Sequence, residues 1–286
     1  MLSFSDFESK DPIAWCPGCG NFGILRAIKL ALVNLQLEPH QILLVSGIGQ
    51  APKLPHYLKC NCFNGLHGRV LPVAFGAKMA NHKLTVIGIS GDGDAYGEGG
   101  NHFLHAMRRN IDITYLVHDN QVYGLTKGQV SPTSDLGYVT KTTPFGAINP
   151  PIDPITMGIA MNIGFVARGF SADTEHLSML IQEGIKHKGF SLIDILQPCV
   201  SFNRVNTYQW YRSRVYKVND DKDYDPTNFE MAVKKSMEWG ERIPIGIIYK
   251  GTRKSYDEQV PVIKDKLLVE QKVATDKIQN LINEFY

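Results

Sequence analysis

The sequence predicts an α/β protein with a doubly wound, mainly parallel sheet, and two observations support that fold class. First, apolar runs of strand length alternate with segments whose apolar residues recur at helical spacing, as βαβ units require. Second, the run Leu84–Ser90 is almost entirely apolar, which is typical of a strand that is covered on both faces. Together these patterns indicate parallel strands joined by helical crossovers.

The individual elements follow from the same patterns. Phe22–Leu37 is the first predicted helix, because its apolar residues fall on one helical face. A second helix is predicted over Gly99–Arg109, and a third begins at Thr174, which we take as its N-cap. Besides Leu84–Ser90, strands are expected at Ile42–Val45, Ile113–His118, Gly164–Phe170, Leu192–Leu196 and Ile245–Tyr249.

Composition narrows the classes of protein to which the chain can belong. Of its 286 residues, 43% are hydrophobic, which is enough for a sizeable core. Lys and Arg number 30 against 28 Asp and Glu, so no cationic field for nucleic acid or anionic membrane is expected. No apolar run reaches the ~18 residues of a membrane span, and the acidic N-terminal segment lacks signal-peptide character. We therefore expect a cytoplasmic protein without nucleic-acid or membrane partners.

The sequence also predicts how the chain is divided. Residues 1–215 should form the ligand-binding α/β domain, and residues 216–286 a C-terminal extension that completes the domain and docks a partner. The tail Gln259–Tyr286 is charged with spaced apolar residues, as in a surface helix or a docking arm.

The glycine-rich segment Ser90–Gly97 lies between a predicted strand and a predicted helix. Such turns bind phosphate, because their backbone N–H groups and the helix dipole favour an anion. The spacing differs from a dinucleotide fingerprint, since Tyr96 stands where Gly-x-Gly-x-x-Gly needs its third glycine. Asp92 and Asp94 would repel a bare diphosphate unless a divalent cation lay between them. The segment predicts a Mg²⁺-diphosphate site; the alternative is an acidic turn that caps a helix.

A second polar segment follows the next predicted strand. Asn120 lies 28 residues after Asp92, which is enough for one helix and the adjoining parallel strand. Both loops should therefore emerge side by side at the carboxyl edge of the sheet, where open α/β folds bind ligands. The Asn120 side chain and a carbonyl near Val122 would give Mg²⁺ further oxygen ligands, and Gly124 permits close approach of the backbone to a phosphate.

The ordered set of motifs resembles a known family. In sequence order the chain contains Trp15–Asn21 (Trp-Cys-Pro-Gly-Cys-Gly-Asn), Ser46–Gly49, Leu66–Arg69, Gly91–Asp94, His118–Gln129 and Leu196–Cys199. The Gly-Asp-Gly start with an asparagine at this distance is similar to the diphosphate motif of thiamine diphosphate enzymes. The whole set resembles the β subunit of 2-oxoacid:ferredoxin oxidoreductases, over roughly residues 12–250.

The resemblance implies an enzyme that oxidatively decarboxylates a 2-oxoacid, such as pyruvate or 2-oxoglutarate. Coenzyme A would accept the acyl group, CO₂ would leave, and ferredoxin would take the electrons. The implied cofactors are thiamine diphosphate and Mg²⁺, with Asp92, Asn120 and the Val122 carbonyl as metal ligands. The other implied cofactor-binding residues are Ile48, Gly49, His67, Gly91, Gly93, Asp94, Gly124, Leu125 and Thr126.

Two residues are candidates for a catalytic role within that resemblance. His67 would lie near the thiazolium ring and stabilise charge there; its alternative is a turn histidine that only bonds to backbone. Lys127 is a candidate for holding the substrate carboxylate, and its alternative is a solvated loop lysine.

The chain has five cysteines, an odd number that in a cytoplasmic protein indicates metal or redox ligands rather than disulfides. The resemblance implies a [4Fe–4S] cluster held by Cys16, Cys19 and Cys199 together with a cysteine directly after the Gly-Ile-Gly segment. Here that position is Gln50, which is a poor iron ligand.

Three interpretations of this departure remain open. Cys60 could replace the missing ligand, or Cys62 could do so in its place. Alternatively the cluster has three protein ligands, or is labile or absent. In the third interpretation Cys16 and Cys19 are structural, and Cys60 and Cys62 belong to a separate site.

The chain accounts for only half of a thiamine diphosphate site, because the aminopyrimidine needs a carboxylate from a partner domain. We expect an obligate complex with a larger α subunit, or with separate α and γ subunits. The competing functions are another thiamine diphosphate decarboxylase or synthase, a non-catalytic zinc-binding module on Cys16 and Cys19, and a Mg²⁺-dependent phosphatase built on Asp92 and Asp94.

Overall fold

The structure, a computed structural model, describes residues 1–272 and 275–286. Within them the main sheet has eight strands in the order β2-β1-β3-β4-β8-β7-β10-β9. Strands β7 and β10 run antiparallel, and the other neighbouring pairs run parallel. The strands are β1 (Ile42–Ser46), β2 (Asn61–Asn64), β3 (Thr85–Gly91), β4 (Thr114–Asp119), β7 (Phe165–Phe170), β8 (Ser191–Leu196), β9 (Val215–Lys217) and β10 (Ile243–Lys250); β5 (Val122–Tyr123) and β6 (Gln129–Val130) form a separate hairpin.

Helices cover both faces of the sheet. They are α1 (Asn21–Asn34), α2 (Val70–Ala80), α3 (Gly100–Arg109), α4 (Pro154–Ala160), α5 (Thr174–Lys186), α6 (Tyr208–Arg212), α7 (Phe229–Ser236), α8 (Tyr256–Gln259), α9 (Pro261–Lys264) and α10 (Thr275–Asn283). Helices α1 and α5 pack on one face, and α2, α3, α4 and α7 on the other. Strand β3 shows the alternation that produces the two cores: Ile87 and Ile89 face α1 and α5, and Val86 faces the opposite layer. The doubly wound, mainly parallel sheet is confirmed.

The predicted strands and helices are present, with differences at their ends. Helix α1 ends at Asn34, three residues before the predicted end. The N-cap of α5 is Asp173, whose carboxylate accepts the His176 N–H at 3.2 Å; Thr174 is the first helical residue, so the prediction of Thr174 as the cap was wrong. An ionised carboxylate is a stronger acceptor than a hydroxyl at this position.

The C-terminal part of the chain contributes to the sheet as well as to the surface. Strand β10 pairs with β7 and β9, and Val218 and Tyr224 are buried in one of the two cores. The division at residues 215 and 216 stays a prediction. Helices α8, α9 and α10 lie in the predicted tail, of which residues 273 and 274 are outside the described residues. None of the helices in the described part of the chain has the length and apolar character that crossing a membrane requires.

Candidate functional site

Two loops meet at the carboxyl edge of the sheet. Strands β3 and β4 are neighbours, with Gly91 opposite His118, so Asp92 and Asn120 both follow directly from adjacent strand ends. Fifteen residues line one crevice there, and they include all twelve that the sequence singled out for cofactor binding: Ile48, Gly49, His67, Gly91, Asp92, Gly93, Asp94, Asn120, Val122, Gly124, Leu125 and Thr126. Their roles stay predictions, but the fold brings all of them to one place.

Asp92 lines this crevice and is 1% exposed. Burial raises the pKa of its carboxyl group, against hydrogen bonds that lower it. Thr133 Oγ1 lies 2.7 Å from Asp92 Oδ2 and 2.7 Å from Asp119 Oδ1. Because a hydroxyl has one proton to donate, the two carboxyl groups cannot both be ionised acceptors of it. Burial raises the pKa of Asp119 well above its usual range. In a protonated form, Asp119 would donate a hydrogen bond to Thr133 Oγ1, and the Thr133 hydroxyl would then donate to an ionised Asp92.

Three hydrogen bonds fix the orientation of Asn120. Its Oδ1 accepts the Val122 N–H at 3.1 Å, and its Nδ2 donates to Gln197 Oε1 at 3.1 Å. The Asn120 carbonyl accepts from Asn203 Nδ2 at 3.1 Å. A carbonyl-type oxygen has two lone pairs, so Oδ1 can still bind a cation in this orientation. Asp92, Asn120 and the backbone at Val122 are therefore an all-oxygen donor set of the type that Mg²⁺ prefers.

The surroundings of Asp94 differ from those of Asp92, because N–H and O–H groups of the protein already donate hydrogen bonds to both oxygens of the Asp94 carboxylate. Its Oδ1 accepts the N–H of Gly68 at 2.7 Å and the N–H of Ile48 at 3.2 Å, and its Oδ2 accepts from Ser90 Oγ. These bonds tie the loops after β1 and β2 to the end of β3. Gly68 adopts a φ of +70°, and a Cβ there would lie 2.4 Å from the Glu98 backbone, so this anchoring turn requires glycine.

His67 is oriented by the same carboxylate. Its Nδ1 lies 2.7 Å from Asp94 Oδ1, which, when ionised, can only accept, so Nδ1 carries a proton. In the neutral ring this leaves Nε2 as the free acceptor at the crevice. Tyr123, which sequence reasoning did not single out, also lines the crevice, and its hydroxyl donates to Glu98 Oε2 at 3.1 Å. Tyr123 lies within the motif His118–Gln129, and this position is the sequence signal that could have identified it.

Lys127 lies at the tip of the loop that joins β5 and β6. It is exposed, has a φ of +79°, and is not among the residues that line the crevice. Its neighbours Leu125 and Thr126 do line the crevice, so the loop that carries Lys127 borders it. A role for Lys127 in holding substrate stays a prediction.

A second pocket brings together three of the five cysteines. Cys16, Cys19 and Cys199 line it together with Trp15 and Gln50. Ser201 Oγ donates to Cys16 Sγ at 3.1 Å, and Gln197 Nε2 to Cys19 Sγ at 3.5 Å. Burial, with smaller contributions from the neighbouring Cys199 and Cys16, raises the pKa of the Cys19 thiol to about 11.

Cys60 and Cys62 lie elsewhere. Cys62 is on the edge strand β2, opposite Leu44, and is exposed. The Cys60 thiol donates to the Asn61 carbonyl at 3.3 Å, and burial raises its pKa to about 12. Across the residues that the structure describes, neither of them lines the pocket of the other three cysteines.

The three thiols share a pocket without converging on one point. Within residues 1–272 and 275–286, no three His, Cys, Asp or Glu side chains are close enough together to bind a single metal ion. In an iron–sulfur cluster each cysteine binds a different iron, so its ligands surround a volume instead of meeting at one ion. The described residues therefore form no single-ion site at these cysteines, and the iron–sulfur cluster stays a prediction.

Two buried acidic residues, Asp119 and Asp194, were missed by sequence reasoning; they line a separate cavity. Asp194 in β8 accepts the Tyr96 hydroxyl at 2.7 Å, and burial raises its pKa to about 7 although the nearby Arg168 lowers it. Asp194 and Asp119 are buried and lie on strands that were predicted from their apolar residues. Their partners are distant in sequence, and no local pattern identifies them.

The comparisons with known proteins agree with this geometry. The family model described as thiamine pyrophosphate enzyme, C-terminal TPP binding domain, matches residues 44–195. The model for the C-terminal part of the pyruvate ferredoxin oxidoreductase beta subunit matches residues 199–265. A 2-oxoacid:ferredoxin oxidoreductase subunit beta from Saccharolobus solfataricus is 44% identical over 94% of this chain and 95% of its own length. The chain belongs to this family of β subunits.

Two further relatives place the subunit within the family. The 2-oxoglutarate oxidoreductase subunit KorB of Mycobacterium tuberculosis is 42% identical over 69% of this chain and 53% of its own length. The solved 2-oxoglutarate:ferredoxin oxidoreductase from Magnetococcus marinus superposes with a TM-score of 0.91 at 32% identity, covering 99% of this chain and 96% of that one. That structure holds 2-oxoglutarate, coenzyme A and succinyl-CoA. This β subunit is therefore part of an oxidoreductase and has the thiamine diphosphate enzyme fold.

Proposed function

We propose that this β subunit binds thiamine diphosphate through Mg²⁺ and, with an α subunit, oxidatively decarboxylates a 2-oxoacid to acyl-CoA and CO₂. The observation that carries the proposal is the convergence of Asp92, Asn120 and Val122 in one crevice at the ends of adjacent parallel strands. The donor set is all oxygen, and the Asp92 carboxylate is buried, which strengthens its interaction with a divalent cation. When bound, thiamine diphosphate supplies the carbon nucleophile and the electron sink of such a reaction.

The residues of this chain would bind the cation and orient the groups around the reacting carbon. Asp92 and Asn120 hold the cation in the crevice, and Asp94 holds the loops that form its rim. His67, with its Nδ1 proton on Asp94, presents Nε2 to accept or hold a proton near the reacting carbon. Lys127 at the border of the crevice would attract the carboxylate of the substrate.

Electron transfer is the second part of the proposal. Cys16, Cys19 and Cys199 would hold an iron–sulfur cluster next to the crevice, and ferredoxin would receive the electrons. The two sites share walls, because Asn120 and Gly124 line both of them. Electrons leaving the crevice would thus meet the cluster directly behind it.

Exposed apolar side chains support the need for a partner subunit. Phe145 is 98% exposed and Ile148 is 83% exposed, on a loop held by the Gly137 N–H bond to the Ala147 carbonyl at 2.7 Å. Leu281 and Phe285 are exposed near the end of the chain. Large apolar side chains are often exposed where a partner covers them, so we propose that the α subunit covers the loop and the C-terminal extension.

Co-expression with the α subunit tests the proposal. The complex should reduce viologen dye when given a 2-oxoacid and coenzyme A, and dialysis against a chelator should remove the activity until Mg²⁺ and thiamine diphosphate return. The β subunit alone should be inactive with the same additions. Turnover by the isolated β subunit, or a complex that needs no thiamine diphosphate, would contradict the proposal.

A further inference from the structure

Gln50 stands between the two sites. It lines the thiamine crevice and also the pocket of Cys16, Cys19 and Cys199. The indole N–H of Trp15 donates to the Gln50 carbonyl at 2.8 Å and fixes the backbone there. The side-chain Oε1 of Gln50 is buried and finds no hydrogen-bond partner among the described residues.

An unpartnered buried amide oxygen is costly, about 1–3 kcal/mol, unless something in the pocket binds it. The pocket that Gln50 lines also contains three cysteine thiols, and a [4Fe–4S] cluster needs four ligands. Neither Cys60 nor Cys62 lines this pocket in the described structure. Gln50 Oε1 is thus a buried, unpartnered oxygen donor on a residue that lines the same pocket as the three thiols.

We propose that Gln50 faces the fourth iron of the cluster, which is therefore held to the protein by three thiolates and has one exchangeable corner. This inference rests on the cluster of the proposed function. An amide oxygen is a neutral, hard donor and binds iron weakly compared with thiolate. Because Gln50 lines both pockets, the exchangeable corner faces the thiamine crevice, on the side where electrons would enter.

Two consequences follow for the cluster. Replacing a thiolate by a neutral amide makes the site one charge less negative, which raises its reduction potential relative to a cluster with four thiolates. The corner iron is also easier to lose. One equivalent of ferricyanide would take one electron from [4Fe–4S]²⁺ and become ferrocyanide. The resulting [4Fe–4S]³⁺ would release Fe²⁺ and leave [3Fe–4S]⁺, which conserves both charge and sulfide.

The test uses the αβ complex purified without oxygen, in wild-type form and as Gln50→Cys. After one equivalent of ferricyanide, the wild type should fall from about four to about three irons per β subunit and show the EPR signal of an oxidised three-iron cluster. Gln50→Cys should keep its irons, show no such signal and have a lower reduction potential. A Cys60→Ser, Cys62→Ser double variant should behave like the wild type.

The outcomes separate this inference from the proposed function. A wild-type cluster that keeps all its irons would overturn the assignment of Gln50 but leave the cluster in place. Loss of the cluster in the Cys60→Ser, Cys62→Ser variant would also overturn it, because a fourth thiolate would then exist. Absence of iron and sulfide from the wild-type complex would overturn the cluster itself, whatever the variants hold.

Discussion

The Asp94 carboxylate is the group whose removal should loosen the crevice most specifically. It accepts the buried N–H of Gly68 and the N–H of Ile48, and it orients His67. In Asp94→Ala, both backbone N–H groups lose their partner, at about 1–3 kcal/mol each, so about 2–6 kcal/mol of local stability is lost. Asp94→Asn keeps an oxygen in place and loses only the charge assistance, which we expect to cost about half as much.

Hydrogen–deuterium exchange of the assembled complex measures this loss at the two amides. Since 1.4 kcal/mol is a factor of ten, peptides that cover Ile48 and Gly68 should exchange about ten to a hundred times faster in Asp94→Asn. They should exchange faster still in Asp94→Ala. The matched control is Asp6→Asn, where an exposed carboxylate that accepts the Ser3 N–H at 2.8 Å is changed in the same way. Unchanged exchange at Ile48 and Gly68 in Asp94→Ala would refute the anchoring role.

Two further predictions concern stability. Burial opposes ionisation of Asp112, but Lys78 at 2.8 Å and Lys188 outweigh it and hold the pKa of Asp112 below the usual 3.8. The ionised Asp112 therefore stabilises the folded protein above about pH 4, and this contribution is lost as the pH falls further. Asp112→Asn leaves the buried Lys78 charge unpaired and should lower the free energy of unfolding by about 3–5 kcal/mol at pH 7 in a denaturant titration; equal stability at pH 7 would contradict this. Gly47→Ala places a Cβ 2.1 Å from Asp94 Oδ2 and should destabilise the protein by about 1–3 kcal/mol. The control Gly76→Ala, with open space around the new methyl in α2, should stabilise it by about 0.5–1 kcal/mol, and the reverse order of melting temperatures would contradict both.

Much of the sheet could be predicted because its central strands are buried on both faces. Thr85–Gly91 and Thr114–Asp119 have apolar centres, Val-Ile-Gly-Ile and Tyr-Leu-Val, and the loops after them carry the polar residues of the site. In a parallel sheet these loops must emerge at one edge, so the crevice followed from chain order alone.

The elements that were not predicted have weak local patterns. Strand β2 is Asn-Cys-Phe-Asn, exposed throughout, and it forms because β1 offers it a free edge. Helix α2 contains a proline and a glycine and is stabilised by burying Val70, Leu71 and Ala74 on the sheet. Tertiary packing overrides local propensity in both segments.

The site was predictable where its chemistry is local and unpredictable where it depends on distant partners. The positions of Asp92 and Asn120 follow from two strand ends. By contrast, the anchoring of Asp94 joins residues 26 and 46 positions away in the sequence, and the bond from Tyr96 to Asp194 spans 98 positions. Such contacts are set by the packing of the whole sheet, and no periodicity in the sequence records them.

The central claim is that Asp92 and Asn120 hold a magnesium ion that carries the diphosphate of thiamine. Calorimetric titration of the cofactor-free αβ complex with thiamine diphosphate, with and without Mg²⁺, tests it most directly. Wild-type protein should bind only when Mg²⁺ is present, and Asp92→Ala should not retain the cofactor under either condition, because the diphosphate charge is then uncompensated. Binding of equal affinity by Asp92→Ala, or binding by the wild type that does not depend on Mg²⁺, would contradict the claim.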